Sequence, residues 1–180
     1  MKTRLLELLR DRSFERKRVV LASGKESDFF IDCKQTALTA EGHALIGALF
    51  FDLVKPMNVA AIAGVELGGC PLASAVALVS AQKNAPIDAL YVRKAAKDHG
   101  SQRLIEGNTR LKQGARVAML EDVVTTGGST IRAMDVLRQA GYEIAGVVAL
   151  VDRLEGGREA IEKNGVALTA LYTRNDFIPP

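Results

Sequence analysis

From residue 59 onward the chain repeats one rhythm: a short apolar run, a loop of small or polar residues, then a segment with helical spacing. The runs at 59–63, 89–93, 116–120, 144–151 and 166–172 are rich in Val, Ala, Leu and Ile. Helix-like patterns fill 71–82, 129–140 and 158–164 between them. Strands that are apolar at nearly every position are buried on both faces, since alternation is needed only where one face meets water. Helices between such strands serve as crossovers, which parallel pairing requires. The pattern therefore predicts an α/β fold with a mostly parallel central sheet flanked by helices. Punctuation agrees: Pro56 ends a preceding helix over 41–54, Pro71 stands near a helix start, and Gly141 and Gly165 follow helix ends.

The length of 180 residues suits one domain, 1–180. Residues 1–38 form a small N-terminal hood. It opens with an amphipathic helix over 2–10, carrying Leu5, Leu6, Leu8 and Leu9, and continues as strands at 19–22 and 28–34 around Ser23-Gly24-Lys25. The net charge of +3, from 24 basic and 21 acidic residues, argues against a nucleic-acid partner. Cys33 and Cys70 make no disulfide framework. The N-terminus lacks the apolar core of a signal peptide. The longest weakly polar stretch, 71–81, is short of the roughly 20 residues a membrane helix needs. A cytoplasmic protein without membrane contact is the expectation.

In a parallel sheet, ligands bind where the strand carboxyl ends meet the following loops. The loops at 64–69, 93–110, 121–129 and 152–157 share that edge. The most informative of them follows the run at 116–120 and reads Glu-Asp-Val-Val-Thr-Thr-Gly-Gly-Ser over 121–129. Two adjacent carboxylates accept hydrogen bonds from sugar hydroxyls. Small residues let the main chain approach a phosphate, and a helix start offers unpaired N–H groups. Ser129 is expected to cap that helix. A lone Gly-Gly-Ser turn would mean little; twin acids followed by Thr-Thr-Gly-Gly-Ser point to a ribose 5-phosphate.

A second loop concentrates charge, with Arg93, Lys94, Lys97 and His99 within seven residues and Gly100 and Gly107 nearby. Most basic clusters are solvated surface. Beside a phosphate loop, such a cluster suits a lid that stabilises a departing anion.

The segment 121–129 resembles the phosphoribosyl diphosphate motif of the type I phosphoribosyltransferases. The resemblance implies that Glu121 and Asp122 hold the ribose hydroxyls. It places Val123, Val124, Thr125, Thr126, Gly127, Gly128 and Ser129 around the donor. It also implies Mg2+, held mainly by substrate oxygens with no direct protein metal site. The order Arg-Lys-x-x-Lys-Asp-His-Gly at 93–100 is similar to the catalytic loop of the orotate phosphoribosyltransferase family. That likeness puts Arg93, Lys94, Lys97 and His99 on the diphosphate, with Lys97, His99, Glu121 and Asp122 as the catalytic set. It further implies a homodimer in which the 93–107 loop reaches the partner's site. Asp152-Arg153 resembles the family's pair for orotate, with Arg153 on the base carboxylate and Thr125 as a second contact. Residues 27–32 resemble its hood, where Phe29 and Phe30 lie near the pyrimidine, and 64–71 its diphosphate loop. Two positions depart: Ala22 stands where many members carry lysine, and Leu67-Gly68 where many carry Tyr-Lys. Glu66 has no obvious role beside a diphosphate and is expected to face solvent.

The implied reaction is transfer of the 5-phosphoribosyl group to orotate, giving orotidine 5′-monophosphate and diphosphate in pyrimidine nucleotide synthesis. A purine or uracil phosphoribosyltransferase would keep 121–130 without needing Arg153 or 93–100. A non-catalytic sensor of phosphoribosyl diphosphate would need an added basic or aromatic surface, which the sequence does not display.

Overall fold

The computed structural model describes residues 1–20, 26–95 and 104–178. The hood begins with α1 (Lys2–Arg12) and four two-residue strands, β1 (Phe14–Glu15), β2 (Val19–Val20), β3 (Glu26–Ser27) and β4 (Phe30–Ile31). β1 pairs with β4 and β2 with β3, both antiparallel. A short α2 (Lys34–Ala37) leads into α3 (Ala40–Val54). Thr39 caps α3 by accepting the Gly42 N–H at 3.0 Å.

The remaining elements build the sheet. They are β5 (Ala61–Val65), α4 (Gly69–Gln82), β6 (Asp88–Val92), β7 (Ile105–Glu106), β8 (Arg116–Val124), α5 (Gly128–Gln139), β9 (Glu143–Asp152), α6 (Gly157–Lys163) and β10 (Leu168–Thr173). Among the described residues the sheet has six strands in the order β10-β9-β8-β5-β6-β7. All neighbours are parallel except β6 and β7. The predicted α/β sheet is thus present, with a short antiparallel edge that the sequence pattern did not announce.

Both faces are covered. Leu5, Ile46, Leu72 and Val76 of α1, α3 and α4 pack with Ile62, Leu120 and Val148 on one side. Met134, Leu137 and Ile161 of α5 and α6 pack with Met119, Val147 and Ala149 on the other. Each large aliphatic side chain buried this way contributes about 1.5–3 kcal/mol, before the entropy of ordering the chain is subtracted. No helix among the described residues is long and apolar enough to cross a membrane.

The strand order has a functional consequence. β5 is followed in the sheet by β6 on one side, while β8 is followed by β9 and β10 on the other. β5 and β8 lie side by side, so their carboxyl ends diverge into a crevice at the point where the order reverses. The loops that open there run from 66 to 68 and from 125 to 127.

Two expectations about local structure change. In place of a strand over 28–34, only β4 (Phe30–Ile31) is paired, because it meets β1 over two residues before α2 begins; the 19–22 run extends outside the described residues. β8 runs four residues past 120, so Glu121 and Asp122 stand in the strand, not in the loop after it.

Candidate active site

Adjacent strand residues point to opposite faces, and the two acids follow that rule. Glu121 turns toward α5, where its Oε2 accepts the Thr130 hydroxyl at 3.2 Å. Asp122 turns toward the start of α4. A Cβ on Gly68 would collide with the Asp122 carboxylate, so glycine leaves that acid its room. Glu121 is only 6% exposed. Burial, with the charge of Asp122 adding to it, pushes its carboxyl up to about 8. Burial also raises Asp122, against the opposing effects of the Val123 N–H at 2.8 Å and the nearby Lys34 ammonium. The crevice floor is therefore a pair of carboxyls held where ionisation is costly.

The loop after β8 is built by Gly127. Its φ of +78° belongs to the left-handed region that favours glycine, and it forms the N-cap of α5. The helix therefore starts at Gly128. Ser129 lies inside the first turn and is not the cap, a correction that follows from the turn closing one residue early. Thr126 is exposed, and Thr125, Gly128 and Ser129 are half-buried beside the open first turn. Val124 is also corrected: its side chain is core and its carbonyl accepts the Arg153 N–H at 2.9 Å, so it forms wall and not ligand contact. Val123 remains half-buried at the crevice.

On the β5 side, Glu66 has a clear place. Its N–H donates to the Val92 carbonyl at 2.8 Å, and its Oε2 accepts the Lys94 N–H at 3.0 Å. The carboxylate that sequence reasoning left facing solvent instead fastens the root of the basic loop to the neighbouring loop. The Arg93 N–H donates to the Leu104 carbonyl at 2.8 Å, which closes the base of that loop. Arg93 and Lys94 face a cavity of about 260 Å3 that Val65, Ser129, Arg132 and Val136 also line. Arg132 was not singled out in the sequence. Its signal was the i, i+4 spacing from Gly128, which sets both on one side of α5. Lys97, His99, Gly100 and Ala22 lie outside the described residues.

Arg153 follows β9 at the same edge and is 8% exposed. Its Nη2 donates to the Phe29 carbonyl at 2.9 Å and to the Ser27 hydroxyl at 3.2 Å, which roofs the site with the hood. The two phenylalanines separate. Phe29 is fully buried, its ring 5.1 Å from Phe14 and 5.6 Å from Phe177, so as a ring covering a base it is corrected to core. Phe30 is half-buried, with the Lys17 ammonium 4.0 Å above its ring. The β8 and β9 loops meet closely, since a Cβ on Gly127 would come within 2.9 Å of the Gly157 carbonyl. Among the described residues, no three or more His, Cys, Asp and Glu side chains group to hold a metal ion.

Residues 34–170 match the family model for a phosphoribosyl transferase domain. An orotate phosphoribosyltransferase from Sorangium cellulosum (strain So ce56) is 63% identical over 177 residues, covering 98% of this chain and 92% of that protein. A crystal structure of Mycobacterium tuberculosis H37Rv orotate phosphoribosyltransferase in complex with Fe(III) dicitrate superposes with a TM-score of 0.82 at 38% identity, covering 98% of both chains. The same enzyme in complex with 5-phospho-alpha-D-ribosyl 1-diphosphate gives a TM-score of 0.76 at 32% identity, covering 98% of this chain and 90% of that one.

Proposed function

This chain belongs to the phosphoribosyltransferase family, and from that membership and the geometry of its crevice we infer that it transfers the 5-phosphoribosyl group from phosphoribosyl diphosphate to orotate. The products are orotidine 5′-monophosphate and diphosphate, a step of pyrimidine nucleotide synthesis. One observation carries the reading most directly. The turn opened by Gly127, the two acids near the end of β8 and the buried arginine after β9 lie at the carboxyl ends of two adjacent strands, beside the point where the sheet order reverses.

The residues divide the work. Backbone N–H groups from Thr125 to Ser129 and the α5 dipole bind the 5-phosphate. Glu121 and Asp122 receive the ribose hydroxyls. Arg153 holds the orotate carboxylate, with Thr125 and Phe30 at the edge of the base. Arg93, Lys94, Lys97 and His99 surround the diphosphate. The orotate ring nitrogen attacks the anomeric carbon, the new C–N bond forms, and diphosphate leaves with the electron pair of the broken C–O bond. Positive charge grows on the ribose as that bond lengthens. This charge favours ionised Glu121 and Asp122, the reverse of what burial does in the free protein. Holding both reactants in line supplies much of the acceleration.

A buried Glu121 and a half-buried Asp122, side by side, suit a cation that arrives with the substrate. Asp122 and Glu121 would lie nearest a Mg2+ carried in by the substrate, and such a cation would neutralise charge on the leaving group. A homodimer sharing the 93–107 loop between sites, in the cytoplasm, completes the reading. The test is loss of orotate absorbance on adding phosphoribosyl diphosphate, with and without Mg2+. Turnover that depends on both is expected. Turnover of uracil or a purine in place of orotate would move the function to another acceptor.

A further inference from the structure

Arg153 already holds a carboxylate. Its Nε donates to Glu155 Oε1 at 3.1 Å, and its Nη2 lies 3.0 Å from the same oxygen. Nη2 also serves the Ser27 hydroxyl and the Phe29 carbonyl. Both Nη2 protons are therefore taken by Ser27 and Phe29, and Glu155 is held by the Nε hydrogen bond and by its charge beside Nη2. The Nε–Nη2 edge is full, and only Nη1 is left without a partner among the described residues.

A ligand carboxylate gains most from two parallel bonds to one guanidinium edge. To obtain them it must take a place now occupied. Ser27 and Phe29 offer neutral oxygens that also anchor the hood. Glu155 offers the one charged oxygen, on the short turn between β9 and α6, and its side chain retains some exposure. Two carboxylates on one guanidinium edge repel each other, so the occupant of like charge is the one displaced.

We propose that Glu155 is a built-in competitor of the acceptor base: it holds Arg153 in the free protein and yields it to the substrate carboxylate. This rests on Arg153 being the base anchor. An acidic base exchanges one ion pair for another. A neutral pyrimidine offers no replacement. It must fit beside an intact Arg153–Glu155 pair or break the pair with nothing in return, and stripping a partner from a mostly buried arginine is costly. Glu155 thereby lowers affinity for every acceptor but lowers it most for those without a carboxylate.

Glu155→Gln removes the charge and keeps an acceptor oxygen for Arg153. The orotate dissociation constant, measured by calorimetry, should fall about fivefold, the scale of one partly exposed ion pair. Turnover of uracil relative to orotate should rise. An orotate dissociation constant that stays or rises in Glu155→Gln overturns the proposal, because Glu155 would then only orient Arg153. Arg153→Ala separates this from the underlying reading. Orotate affinity lost in Arg153→Ala but not improved in Glu155→Gln sinks only the competitor. A parent protein that does not bind orotate sinks the anchor itself.

Discussion

Glu121→Gln tests whether burial keeps this carboxyl protonated in the free protein. Burial and the neighbouring Asp122 push it up to about 8, against an ordinary value of 4.5. Between those pH values the unfolded chain has released the proton while the folded chain still holds it. The folded state therefore binds more protons, and stability falls as pH rises through that window. Each pH unit costs up to ~1.4 kcal/mol from this one group. From pH 6 to pH 8 the loss is about 2–3 kcal/mol. In a domain of this size, that lowers the melting temperature by roughly 5–10 °C. The assay is thermal unfolding of ligand-free protein, parent and variant, at intervals from pH 5 to pH 9. Glutamine does not titrate, so the variant should gain on the parent by that amount across the range. The gain should level off above the folded value. Parallel melting profiles for the two proteins would refute the argument, since every other titrating group is common to both.

Two further outcomes are expected. Lys97→Ala should lower kcat far more than it raises KM for orotate, because the proposed role of Lys97 is to stabilise the leaving diphosphate; steady-state kinetics checks this, and an unchanged kcat would contradict it. Gly127→Ala puts a side chain at φ +78° and within 2.9 Å of the Gly157 carbonyl. It should cost roughly 1–3 kcal/mol in a denaturant titration and raise KM for phosphoribosyl diphosphate; a variant matching the parent in both would show that the turn tolerates a Cβ.

The central sheet was legible because its strands are apolar throughout and its helices are punctuated by Pro and Gly. β8 shows the limit of that signal. Its strand pattern ended at the first acid for a reader, yet the ladder to β9 continues through Val124, because pairing is a backbone property that tolerates Glu121 and Asp122. β7, β1 and β4 were illegible or misjudged, since two-residue strands carry no period. Phe29 and Phe30 looked alike, and only the distant Phe14 and Phe177 decide which ring is core. Arg153 was found by its place after a strand. Its roof came from residues more than 120 positions away, and so did its burial. Glu66 needed Lys94, 28 residues on, before its carboxylate had a purpose.

The narrow meeting of Gly127 and Gly157 ties the proposed sugar-phosphate turn and the proposed base-side turn into a single mechanical piece. Widening one turn pushes directly on the other, so acceptor preference cannot be re-engineered by enlarging the second glycine without disturbing the donor. Changes aimed at a new base belong at Leu154, which is exposed on the same turn, and at Glu155, which already contacts Arg153.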